Sequence, residues 1–127
     1  MLYERETTGT IDEVSEKVQQ AVAENAFGVL GIHDLKQKLN DKGVDFEREC
    51  RVMEVCNPVK AKAVLESNMS ISNALPCRIS IYQDGDSIKV STLRPTRLMG
   101  LFNQPELEPV AEEVEQTLIR IIDSAVQ

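Results

Sequence analysis

Two cysteines stand beside proline-fixed backbone. Cys56 opens the run Cys56-Asn57-Pro58, and Cys77 closes Leu75-Pro76-Cys77 with Arg78 after it. Asn57-Pro58 is a helix start: the Asn side chain accepts from freed amides, and Pro at the first helical position gives up an N–H that has no partner anyway. A thiol next to a helix N-terminus has its pKa lowered. If the strand ending at Cys56 and the strand starting at Cys77 are antiparallel neighbours, both thiols reach one end of the sheet. They then fall within the roughly 4.4–6.8 Å Cα separation a disulfide needs. Such a pair suits redox or sulfur-handling chemistry, or two soft ligands; it equally suits two free cysteines packed as small hydrophobes. Cys56 is the one candidate nucleophile, and no positioned base accompanies it.

The remaining polar candidates have plainer alternatives. His33 is the sole histidine. It could serve as a base or ligand with Asp34 or Cys56, but antiparallel pairing puts the strand ends carrying His33 and Cys56 at opposite edges of the sheet. A half-buried histidine bonded to backbone or to Asp34 is the other reading. Asn57 could offer its amide to a ligand beside Cys56, although capping accounts for it fully. Arg78 shares a strand face with Ser80 and Tyr82, a row fit for an anionic ligand or for the wet side of a sheet. Leu98, Met99, Leu101 and Phe102 crowd around Gly100 without a clear period. They could form a lid over the Cys56/Cys77 end, a patch buried in a dimer, or core.

Bulk composition excludes several classes. The chain has 127 residues and a formal net charge of −7. That length fits one domain, 1–127, with a real core. The charge and the absence of a Lys/Arg block argue against nucleic acid and against anionic membranes. No secretory signal and no span are visible, so a cytoplasmic location is expected. There the 3 cysteines should be reduced at rest. Their odd number and the lack of Cys-x-x-Cys argue against a disulfide framework or a zinc ribbon. No Gly-x-Ser-x-Gly, P-loop, Rossmann fingerprint or His-Glu-x-x-His occurs, so no cofactor and no metal are implied.

The elements that must position these residues follow from periodicity. Leu2 to Thr7 is a first strand. Thr10-Ile11-Asp12-Glu13 is a capping box, and Ile11, Val14, Val18 and Val22 line the buried face of a helix that ends near Asn25. Phe27 to Ile32, almost all apolar, predicts a strand covered on both faces or central in the sheet, with Gly28 and Gly31 letting another backbone approach. A short helix capped by Asp34 should turn Leu35 and Leu39 inward and stop at Gly43. Phe46 to Cys56 predicts a long strand with a bulge near Val52, because the apolar parity switches there. A helix from Pro58 buries Ala61, Val64 and Leu65. Cys77 to Gln83 alternates cleanly, Asp84-Gly85 signals a hairpin, and Ile88 and Val90 return. Leu107 to Ala125 forms the longest helix. Paired strands with segregated helices make an α+β fold, a largely antiparallel sheet of about five strands with helices on one face.

From Phe27 to about Arg97 the chain resembles the family known as domain of unknown function 302. The motifs that carry the likeness are Gly28-Val29-Leu30, His33-Asp34-Leu35, Glu54-Val55-Cys56-Asn57-Pro58 and Leu75-Pro76-Cys77-Arg78-Ile79-Ser80-Ile81-Tyr82. The resemblance implies a fold like one half of the TATA-binding protein, often in homodimers, and no activity. Many members have Glu-Ile-Asp where this chain has Ile32-His33-Asp34, so it looks closer to a His-Asp branch. Residues and resemblance together point to a small binding or sulfur/redox-accessory module, homodimeric, taking a small molecule or sulfur species at Cys56, Asn57, Cys77 and Arg78. The alternative is a structural homodimer with no chemistry, which leaves enzymatic activity open.

Overall fold

A computed structural model describes residues 1–127. In chain order it contains β1 (Leu2–Thr7), α1 (Ile11–Glu24), β2 (Gly28–Asp34), α2 (Leu35–Asp41), β3 (Cys50–Cys56), α3 (Pro58–Ser67), β4 (Cys77–Asp84), β5 (Ser87–Leu93), α4 (Pro95–Met99) and α5 (Glu108–Ala125). Short 3₁₀ turns sit at Met69–Ala74, Gly100–Phe102 and Pro105–Leu107. The five strands form one antiparallel sheet in the order β1-β5-β4-β3-β2. The α+β architecture expected from the sequence is therefore the one observed.

Helices α1 and α5 cover one face. Val14, Val18, Val22, Leu118, Ile121 and Ile122 pack there against Met53, Val55, Ile79, Ile81 and Val90. Polar ties fix the layers. Tyr3 Oη and Arg5 Nη1 from β1 both donate to Asp123 on α5, and Arg51 Nη2 from β3 donates to Asp12 on α1 at 2.5 Å. A smaller cluster of Val64, Ile71 and Leu107, joined by Leu75, Met99 and Phe102, lies beside the main core.

Several sequence expectations change. β2 is an edge strand, neither central nor doubly covered, and Val29, Leu30 and Ile32 are 37%, 64% and 40% exposed. The bulge lies in β2, where Leu30 is the extra residue between Val29 and Gly31; the β3–β4 register runs without a break through Val52. The parity switch in Phe46–Cys56 has a simpler cause. Phe46 precedes the strand, which begins only at Cys50, so Cys50, Val52 and Glu54 keep one face throughout. Open space surrounds Gly28, and a Cβ on Gly31 would make only ordinary contact with Glu54 at 3.6 Å, so neither glycine serves a close approach. Helix α2 is capped by Asp34 but buries no residue.

Two turns also resolve differently. The hairpin loop is Gly85-Asp86, with Asp84 opposite Ser87 and Gly85 at φ 61°, the position glycine takes first in a type II′ turn. Helix α1 ends in a Schellman motif in which Phe27 N–H donates to the Val22 carbonyl, and Ala26, not Asn25, holds the left-handed conformation at φ 61°. Burial of Phe27 in the core fixes that register.

Candidate functional site

The corner around Cys56 and Cys77 is built by the end of the β3–β4 ladder. Val55 is the direct partner of Cys77, so Cys56 lies one residue beyond it. Successive strand residues point to opposite faces. Cys77 therefore joins Ile79 and Ile81 on the helix side and packs against the main core, while Cys56 shares the parity of Glu54 on the open side. Both thiols nevertheless line one cleft of about 90 Å³, and both are free. That volume holds roughly six water-sized positions.

The cleft is apolar, with 14 hydrophobic residues among the 19 that line it. The strand ends form its floor. Val64 of α3, Leu75, Leu98 and Met99 of α4, and Val110 of α5 form its walls. Of the Leu98–Phe102 group, then, Leu98 and Met99 wall the cleft, Phe102 packs on the smaller cluster, and Leu101 is exposed.

Electrostatics at the corner disfavour thiolates. Burial pushes the Cys56 thiol pKa up. At Cys77 burial is the main cause, the neighbouring Cys56 adds to it, Arg78 opposes it weakly, and the pKa reaches about 11. The Cys56 shift is thus upward, through desolvation, and not the lowering expected from the α3 N-terminus. Asn57 is occupied as a cap, its Oδ1 accepting from the amides of Val59 and Lys60 at 3.1 and 3.2 Å. The third thiol, Cys50, is likewise raised mainly by burial.

His33 is not part of this corner. It pairs with Val52, four residues along β3 from Cys56, which is about 13 Å at strand rise. Its partners are neither backbone nor Asp34. Nε2 lies 2.8 Å from Glu54 Oε1 and Nδ1 lies 2.6 Å from Lys38 Nζ. A proton on Nε2 donates to the carboxylate and leaves Nδ1 to accept from the ammonium. Arg78 approaches the same Glu54 at 3.7 Å. The His33 hydrogen bond is the leading cause that holds the Glu54 carboxyl below its ordinary pKa. The row on the open face is thus a cross-strand ion network. No group of three His, Cys, Asp or Glu side chains is placed to hold a metal ion.

Three residues that organise the site were given no role by the sequence reading. Lys60 lines the cleft from the first turn of α3. Glu54 links His33 to Arg78. Glu115, on the buried side of α5, accepts from Thr96 N at 3.2 Å, Thr96 Oγ1 at 2.7 Å and Arg94 Nη2 at 3.2 Å, tying α4 down over the cleft. The one signal for Glu115 was its place in the apolar series Ala111, Leu118, Ile122, where a carboxylate is out of pattern.

The family model described as "Domain of unknown function DUF302" matches residues 3–125. The chain is also similar to a solved structure, the crystal structure of an uncharacterized conserved protein DUF302 from Bacillus stearothermophilus, at 31% identity and a TM-score of 0.93, covering 99% of this chain and 98% of that one. No curated protein matches. The resemblance drawn from Phe27 to Arg97 therefore extends over nearly the whole sequence, and the chain belongs to the DUF302 family.

Proposed function

We propose that this protein is a small-ligand-binding module whose site is the apolar cleft at the Cys56/Cys77 end of the sheet. The observation that carries the proposal is the cleft itself. It is concave, dominated by hydrophobic side chains, and edged by a few polar groups, which is the usual make-up of a small-molecule site. The thiols contribute soft, polarizable surface to it. Their raised pKa values speak against a standing nucleophile and so favour binding over redox accessory work. Free cysteines fit a reducing cytoplasm, and the acidic charge fits neither nucleic acid nor an anionic membrane as partner. The His33-Asp34 and Leu75-Pro76-Cys77 motifs then mark a branch of the family.

Methyl-resolved NMR tests the proposal. Titration with short aliphatic compounds should shift the methyls of Val64, Leu75, Leu98 and Val110 together and leave those of Val14 and Val18 still. Shifts spread evenly over the surface, or none at millimolar ligand, would refute it.

A homodimer is the second reading, favoured by the edge strand β2. Val29, Leu30 and Ile32 lie exposed beside unpaired backbone groups, and natural proteins seldom leave such an edge uncovered. Light scattering after gel filtration decides it: a dimer that Ile32→Lys converts to a monomer supports this edge as the interface, and a monomeric wild type removes it.

A further inference from the structure

We infer that the ligand is an anionic amphiphile, an aliphatic body carrying a single carboxylate-like or thiocarboxylate-like head; this rests on the cleft being a binding site. The only charged residues among those lining the cleft are Lys60 and Arg78, both cationic. The chain as a whole carries 21 acidic residues against 14 basic ones, yet no carboxylate reaches the cleft wall. Desolvation keeps most charges off an apolar wall whatever the guest; the telling feature is that the two charged residues the cleft does admit share one sign, which an anionic head complements.

The two cations are available. Lys60 pairs with Glu113 and Arg78 with Glu54, and neither acid lines the cleft. The Arg78–Glu54 separation of 3.7 Å exceeds hydrogen-bonding distance. The Glu54 oxygen that faces Arg78 is Oε2, His33 holding Oε1 at 2.8 Å, and the Arg78 side chain is 54% exposed. Glu113 is more exposed than Lys60, and an exposed pair holds its members weakly. An arriving carboxylate thus competes only with weak, solvent-screened ion pairs for these two cations. Lys60 stands in the first turn of α3 and Arg78 follows Cys77 at the start of β4, and both residues line the chamber whose walls include Val64, Leu98 and Met99. A head held by these two cations leaves the tail in the apolar interior. The volume of about 90 Å³ limits that tail to a short chain.

Calorimetric or NMR titration of the full chain with hexanoate, 1-hexanol and hexylammonium tests the inference. Hexanoate should bind at least ~10-fold tighter than hexanol, with hexylammonium weakest, and the preference should shrink with added salt. In the Lys60→Gln/Arg78→Gln double variant hexanoate and hexanol should bind alike. Equal affinities in the wild type would overturn the charge selection while leaving the cleft as a site. A hexanoate preference that survives in the double variant would overturn the role of these two residues. No binding by any of the three would remove both the inference and the binding site it rests on.

Discussion

Glu115 offers the sharpest test of how the cleft wall is held. Its carboxylate is only 5% exposed and accepts three hydrogen bonds, two from Thr96 and one from Arg94. Burial alone would push its pKa up; the Thr96 hydroxyl and amide and the Arg94 guanidinium outweigh that and hold it below the ordinary value. Hydrogen bonds to a charged group contribute about 1.5–3 kcal/mol each, and neutral ones about half as much. Arg94 is 37% exposed, so its share is discounted for solvent screening to ~0–1 kcal/mol. Glu115→Gln keeps one acceptor for Thr96 but loses the charge and sets an amide donor among donors, for a cost of about 2 kcal/mol. Glu115→Ala leaves the Thr96 donors and Arg94 without an acceptor and opens a void, for about 3–4 kcal/mol. Urea unfolding followed by circular dichroism measures both. Because the folded pKa is lowered, the carboxylate's stabilisation is complete above the unfolded pKa of about 4.3 and fades as pH falls through the lower folded value. Wild type should therefore lose stability on acidification faster than Glu115→Gln. Hydrogen exchange at Arg97 and Leu98, whose amides both bond to the Arg94 carbonyl, should quicken in both variants. A Glu115→Gln protein as stable as wild type at pH 7, with the same acid profile, would refute the assignment of Glu115 as the tie between α4 and α5.

Other predictions follow from the same physics. Ala26→Gly should stabilise the protein by about 0.5–1 kcal/mol, since a non-glycine residue at φ 61° costs more than the extra chain entropy of glycine; thermal unfolding reads it, and a destabilised variant refutes the Schellman reading. Native Cys77, with its pKa near 11, should react with iodoacetamide at pH 8 some ~100-fold more slowly than a free thiol. Peptide-resolved mass spectrometry checks this, and equal labelling of Cys77 and an unfolded control would restore the redox reading. Asn57→Ala should cost about 1 kcal/mol through loss of the cap on Val59 and Lys60, and Asn57→Asp should recover most of it; an unaffected Asn57→Ala protein would mean that the side chain is held for something other than the helix.

The helices and strands were legible because each buries one face at its own period. Ile11, Val14, Val18 and Val22 repeat as a helix, and Cys77, Ile79 and Ile81 alternate as a strand; the helical set, Ile79 and Ile81 are buried as their periods imply, and Cys77 is partly buried against them. Order within the sheet was not legible. An apolar run such as Val29–Ile32 signals burial only if something covers it, and here nothing in the chain does. The same gap misplaced the bulge, since a parity switch between Phe46 and Met53 reads alike whether the strand is faulted or simply starts late. At the site, Cys56, Asn57, Cys77 and Arg78 were found together because local backbone signals mark them. Glu115 and Lys60 were missed because their roles depend on which distant segment, Thr96 or the cleft, comes to rest against them.

The α3 N-terminus fails to activate Cys56 for reasons the geometry supplies. A helix start can lower a neighbouring thiol's pKa through its free amides and positive end. Here Asn57 Oδ1 takes the Val59 and Lys60 amides. What remains to act on the sulfur is desolvation by the apolar cleft, and desolvation favours the neutral thiol. With Asn as the cap and an apolar cavity beyond it, the same Cys-Asn-Pro turn that could present a nucleophile instead closes off one end of an apolar cleft.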